Sequence, residues 1–282
     1  MDRKKFFQTT GVLVAGGLMN KAVAGESYLV GEILSENNNS AADSFPMIDL
    51  HVHRSNKQSI ENIVEKSRKT GIKFGVMENV APWGIRNDEA LKAYIDALKP
   101  HPVYIGLQPM SPGWSKNLSP ELIAQADYVS MDPQVVPDGN SYGETINVWE
   151  YASYIDDPEA FMQKNMQHYM TILTGDEPLN IFACPLFLPI SIQREYQQLW
   201  TKSRMQQIID AARARNIAIE INDLVRVPHE EFILMAKRAG LKFTFGSDTR
   251  DEKTGRLDYC RYIAGKCGLT QKDFFIPERT LD

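Results

Sequence analysis

Cysteine is scarce in this chain of 282 residues, which has three. Cys260 and Cys267 fall seven apart in a segment patterned as a helix, so they rise roughly 10 Å apart, beyond the reach of a disulfide. No disulfide framework is implied. Basic residues are outnumbered, 31 Lys and Arg against 36 Asp and Glu, and no Lys/Arg run occurs after residue 24, which argues against nucleic acid as a partner. Long apolar stretches are missing too: no run reaches the roughly 18 residues that cross a bilayer. Internal repeats, heptads, a G-x-S-x-G elbow and a phosphate-binding glycine loop are absent as well. Histidine is sparse, five in all, yet two of the five, His51 and His53, stand one residue apart.

What is present begins with a leader. Residues 1–24 join a basic start (Arg3, Lys4, Lys5) to a mildly apolar centre and a small-x-small ending, Ala22-Val23-Ala24, the pattern of a cleavable secretory signal peptide. The start, Arg3-Lys4-Lys5-Phe6-Phe7, is similar to a twin-arginine signal with Lys4 in place of the second arginine. Export to a bacterial periplasm is expected, by the twin-arginine or the general route. Cleavage would remove four basic residues and one acidic residue, taking the net charge from −5 to near −8, and no stable membrane insertion is expected afterwards. Residues 25–44 are polar and read as a flexible leader to a single domain over 45–282.

With 43% of its residues hydrophobic, the chain can build a sizeable core. Short apolar runs alternate with longer amphipathic ones. Strands are expected over 47–52, 74–78, 103–108, 127–132, 180–184, 218–222 and 243–247, with helices over 60–71, 87–100, 158–173, 205–216 and 229–240. Strand–helix repetition implies a parallel sheet, and seven units in this length imply an α/β fold built as one TIM-like (β/α)7 barrel. Functional side chains in such barrels collect at the C-terminal ends of the strands. Those ends carry His51 and His53, Glu78 and Asn79, Gln108, Asp132, Cys184, Glu220 and Asn222, and Asp248. Because residues i and i+2 of a strand share a face, His51 and His53 can present two imidazoles to one cation.

Three segments in order, IDLHVH (48–53), AIEIN (218–222) and FTFGSDTRD (243–251) followed by GLTQKDFF (268–275), resemble the PHP (polymerase and histidinol phosphatase) family of metal-dependent hydrolases. The resemblance spans about residues 47–275 and implies a distorted seven-stranded barrel that holds divalent ions and hydrolyses phosphate esters. His51 and His53 match the family's first motif, and Asp248 matches the acidic residue of its last. Elsewhere the chain departs. Glu78-Asn79 stands for Asp-His, Gln108 for a bridging Glu, Asp132 for a His, Cys184-Pro185 for His-Pro, and Asp248-Thr249-Arg250 for Asp-x-His. A neutral Gln108 and the fixed positive charge of Arg250, which cannot ligate, argue against a full three-metal cluster. The resemblance implies one or two divalent ions per chain, Zn, Mn or Fe. His51, His53 and Asp248 would hold them, with Glu78 and Asp132 as helpers, and Cys184 as either a soft ligand or a small buried hydrophobe.

The catalytic candidates are Arg250, to receive an anionic or leaving group, Glu220 at the sixth strand end, and His229 just beyond it. His101 reads as structural or exposed at the opposite barrel end, and His168 as a surface or capping residue. The aromatic-rich insert over 139–157 either covers the site or packs over the barrel mouth. The expected activity is hydrolysis of a small, anionic substrate by a metal-activated water, with a phosphate ester implied by the resemblance. Two alternatives stand beside it. D-x-H-x-H and a late strand-end Asp also mark the amidohydrolase superfamily, which cuts C–N or C–O bonds, although DYVSMDPQ (127–134) lacks the lysine many members carry there. Gln108, Cys184 and Arg250 together fit a metal-free barrel that binds a ligand or partner.

Overall fold

The computed structural model describes residues 45–138 and 144–281; the expected signal over 1–24 and leader over 25–44 lie outside the described residues. Among the described residues nine strands follow one another as β1 (Ile48–His53), β2 (Lys73–Val80), β3 (Tyr104–Pro109), β4 (Tyr128–Met131), β5 (Val135–Pro137), β6 (Thr145–Asn147), β7 (Ile181–Phe182), β8 (Ala218–Asn222) and β9 (Phe243–Gly246). Seven of them close into a barrel in the order β1-β2-β3-β4-β7-β8-β9. All its pairings are parallel, and β9 returns to β1 through Phe245 and Asp49. These are the seven strands expected from the sequence, with ends shifted by a few residues. β5 and β6 pair antiparallel as a separate ribbon, so part of the aromatic-rich insert has a sheet structure that its sequence did not announce.

Helices fill the crossovers: α1 (Ile60–Thr70), α2 (Asp88–Leu98), α3 (Pro120–Ile123), α4 (Pro158–Thr174), α5 (Tyr196–Leu199), α6 (Lys202–Ala214), α7 (Glu230–Arg238) and α8 (Asp258–Lys266). Four of the longer ones begin where a short polar side chain takes up a free backbone N–H. Ser59, Asn87, Asp157 and Thr201 accept from Asn62, Ala90, Ala160 and Arg204 in turn. The larger core lies between strands and helices. A smaller one, including Ile48, Leu50, Met77 and Tyr128, plugs the barrel interior, where the Tyr128 hydroxyl donates to the Leu50 carbonyl at 2.7 Å. His168, expected at the surface, is buried on α4 with no partner for its Nε2. Among the described residues no helix is long and apolar enough to cross a membrane.

One irregularity decides what the barrel mouth contains. Asp49 lies opposite Phe74, yet Val52 lies opposite Val76, so β1 spends three steps where β2 spends two. Such a bulge turns the strand's alternation over. Before it, Ile48 and Leu50 belong to the interior core; after it, Val52 sits in the outer core and His51 and His53 take the inward face. The buried Asp49 carboxylate braces the bulge. Its Oδ1 accepts from the His51 and Ser247 N–H groups at 3.2 and 2.9 Å, and its Oδ2 from Gly255 at 3.1 Å.

Candidate metal centre

Seven parallel strands place their C-terminal ends at one mouth, and the polar groups there converge on His51. Its Nδ1 lies 2.6 Å from Glu220 Oε1, and its Nε2 lies 3.3 Å from Asp248 Oδ1 and 3.0 Å from the Gln108 amide nitrogen. Glu220 is locked by its other oxygen, which accepts from the Cys184 N–H at 2.7 Å and from Asn222 Nδ2 at 3.2 Å. The close approach of β9 depends on Gly246: a Cβ there would stand 2.0 Å from Glu220 Oε1 and 2.7 Å from the His51 Cβ. Asp248, just past β9, adopts a left-handed backbone with φ +49, a conformation that aspartate tolerates better than most residues.

Two sets of donors each gather within 4.8 Å: His51, His53 and Asp248, and His51, Cys184 and Glu220. The first set fits a divalent cation. His53 Nε2 is buried without a hydrogen-bond partner, while the Met77 carbonyl faces the ring. Burial, reinforced by the His51 and Arg250 charges, holds His53 well below the usual histidine range. The ring is therefore neutral, which is the form that ligates. For His51 burial pulls the other way from its surroundings: the Asp248 and Glu220 carboxylates outweigh desolvation and raise it to about 9. With Glu220 holding the Nδ1 proton, Nε2 is the nitrogen that faces a cation once its own proton leaves. Burial works to raise Asp248, but the His51 and Arg250 charges prevail and keep it ionised. Two imidazole nitrogens and one carboxylate make a three-donor site with room for further ligands.

The second set is already committed. Both Glu220 oxygens are bonded within the protein, and burial, with the Asp132 and Glu220 charges, pushes the Cys184 thiol well above its ordinary value. A protonated thiol is a poor ligand. Cys184 Sγ instead accepts from Asn222 Nδ2 at 3.1 Å, so this cysteine behaves as a small packed group.

The other expected site residues are placed as follows. Asp132 lies at the mouth but outside both donor sets. Its oxygens accept from the Gln134 N–H at 3.2 Å and from the Gln134 and Gln108 amides, each at 3.3 Å. Burial and the Asp248 charge push its carboxyl up to about 7. Glu78 is not brought to the group. On β2, Met77 enters the interior core and Asn79 donates to Gln108 Oε1 at 2.9 Å, so alternation turns Glu78 to the opposite face, where its charge acts on the buried Tyr94 of α2. Expecting Glu78 as a helper ligand therefore picked the wrong neighbour: Asn79 is the inward residue. His229 occupies the N-cap position of α7 without a side-chain capping bond and stacks on the Tyr196 ring at 3.9 Å between centroids, outside both donor sets. Arg250, half exposed, pairs with Asp248 Oδ1 at 3.3 Å. Gln134 and Gly246 went unnoticed as structural parts of the site; Asp49, in the D-x-H-x-H spacing, and Asn222, at a strand end, had a positional signal but no assigned role.

Seven parallel strands closed into one barrel, with paired histidines on the first and an aspartate beyond the last, define a distorted TIM-like α/β barrel. Within that class the chain is similar in structure to histidinol phosphate phosphatase from Lactococcus lactis subsp. lactis Il1403, solved with zinc, L-histidinol and phosphate. The TM-score is 0.56 at 17% identity, covering 81% of this chain and 96% of that one. Identity this low speaks for a shared fold alone. The citrate synthase SbnG, at a TM-score of 0.40 and 14% identity over 80% of this chain and 93% of its own, is too distant to carry an argument. No protein-family model and no curated protein matches the chain.

Proposed function

We propose that this chain is an exported, metal-dependent hydrolase of small phosphate esters. The supporting observation is the convergence of His51, His53 and Asp248 donor atoms at one barrel mouth, in a fold shared with a phosphatase solved with zinc. His51 Nε2, His53 Nε2 and the Asp248 carboxylate would hold one zinc, manganese or iron ion. A bound ion supplies Lewis acidity and a water of lowered pKa. The chain's own residues arrange the rest. Glu220 fixes the His51 ring, and Gln108, held by Asn79, keeps Asp132 beside the group. Arg250, half exposed, pairs with Asp248 through Nη1, and its remaining N–H groups would bind phosphoryl oxygens. The pattern of residues 1–24 supports periplasmic delivery.

The test is elemental analysis of protein purified without chelator, followed by assays on phosphate monoesters, simple amides and lactones. About one equivalent of metal and phosphate-monoester hydrolysis that Asp248→Asn abolishes are expected. Amide or lactone cleavage without phosphatase activity would favour the amidohydrolase alternative. Metal below roughly a tenth of an equivalent, with no activity restored by Mn²⁺ or Zn²⁺, would instead leave a metal-free binding barrel.

A further inference from the structure

The four tryptophans fall into two pairs. Trp114 and Trp200 are 3% and 2% exposed, whereas Trp83 and Trp149 are 42% and 44% exposed. The exposed indoles come from different loops at the barrel mouth and meet edge to face, with centroids 6.2 Å apart and planes at 77°.

Both are rooted in the metal centre. Trp83 sits at the tip of a closed turn beyond β2, in which Ala81 N–H donates to the Ile85 carbonyl at 3.0 Å and Ile85 N–H to the Asn79 carbonyl at 2.8 Å. Gly84 closes that turn with φ +67, and a Cβ there would stand 2.2 Å from the Asn79 oxygen, so the turn requires glycine. The Asn79 side chain in turn holds Gln108, which contacts His51. Trp149 follows Val148, whose N–H donates to the Gln134 carbonyl at 2.9 Å, and Gln134 holds Asp132. Each indole is thus tied by a short hydrogen-bonded path to a residue beside the donor set. Ordering large apolar rings at a surface without burying them costs conformational freedom with little packing gain.

We propose that Trp83 and Trp149 form a substrate subsite that stacks an aromatic ring in the alcohol portion of the phosphate ester. This rests on the hydrolase reading above. Two nearly perpendicular indoles form a corner in which one face stacks on a ring and the other face receives that ring's edge. A sugar ring also needs hydrogen-bond partners around its rim, and the corner serves that need poorly. Pro82 and Gly84 flank Trp83, and Asn147 and Glu150, beside Trp149, bond each other at 2.8 Å.

Fluorescence reads the corner directly, because Trp114 and Trp200 are shielded from solutes. The full chain loaded with Zn²⁺ or Mn²⁺ is titrated with benzylphosphonate, methylphosphonate and a glucosyl phosphonate, and benzyl and methyl phosphate are assayed as substrates. Trp83→Leu and Trp149→Leu are measured alongside, with melting curves to verify folding. Benzylphosphonate is expected to change the emission saturably and to bind more tightly than the other two. Each variant should weaken it about fivefold to tenfold, with the kinetic loss falling on KM more than kcat and on the benzyl ester more than the methyl ester. Equal binding of benzyl- and methylphosphonate, tighter binding of the glucosyl compound, or variants that bind benzylphosphonate like the parent would each overturn the subsite. Tight benzylphosphonate binding without hydrolysis of any ester would leave the subsite standing and remove the hydrolase. Hydrolysis of benzyl and methyl phosphate with equal KM would do the reverse.

Discussion

Replacing Gly246 by alanine adds one carbon where β8, β9 and β1 crowd together. The new Cβ would lie 2.0 Å from Glu220 Oε1 and 2.7 Å from the His51 Cβ, and neither neighbour has slack. The Glu220 carboxylate is fixed by His51 at 2.6 Å, by the Cys184 N–H at 2.7 Å and by Asn222 at 3.2 Å. Losing a charge-assisted hydrogen bond costs about 1.5–3 kcal/mol, and overpacking a filled interior costs about 1–3 kcal/mol. A combined loss of about 3–5 kcal/mol lowers the melting temperature of a domain this size by roughly 10 °C. Cation affinity should fall about 10- to 100-fold as well, since the carboxylate behind a ligating histidine sets its orientation. Scanning calorimetry and zinc titration calorimetry on the parent, Gly246→Ala and Gly265→Ala would measure both. Gly265, in α8, has open space where its Cβ would be, so alanine there should stabilise by about 0.5–1 kcal/mol. A Gly246→Ala protein that melts within about 2 °C of the parent and binds zinc equally well would refute the reasoning.

Three further outcomes are expected. With His51 raised to about 9, zinc binding at pH 7 should release about one proton and strengthen about tenfold per pH unit up to that value; titrations in buffers of different ionisation heat measure this, and zero proton release would contradict it. Burial depresses His168 to about 4, so between about 6.5 and about 4 the unfolded chain binds a proton that the folded protein does not. Stability is therefore lost as pH falls through that window, by about 3 kcal/mol in all, and His168→Leu should flatten the urea midpoint against pH relative to the parent; identical slopes would sink the assignment. Finally, Glu78→Gln should leave zinc affinity within about twofold, whereas Asp248→Asn should weaken it by at least about tenfold; equal losses would put Glu78 back in the coordination sphere.

The barrel strands were legible because each is a short apolar run cut off by turn residues, and parallel order followed from the helices between them. The sequence also singled out His51, His53 and Asp248, whose donor atoms the fold brings within 4.8 Å of one another; their types and places at strand ends are informative on their own. It did not disclose which face each strand turns inward. On β2 the choice between Glu78 and Asn79 is fixed by the Met77 side chain entering the interior core, a tertiary fact. The β5–β6 ribbon escaped notice because its strands are three residues each, too short for a period to register. His168 looked exposed because α4 buries polar Asn165 along with it, which blurs the apolar stripe that would mark the inner face.

The added residue in β1 has a consequence for anyone moving this motif to another scaffold. In IDLHVH the apolar and polar side chains alternate, so a regular strand carrying it would keep its hydrophobic set inside and send both imidazoles out among the helices. Grafting six letters would transfer the spelling and lose the chemistry. The transplant must also carry the kink, together with the buried carboxylate of Asp49 and the backbone amides of Ser247 and Gly255 that it grips.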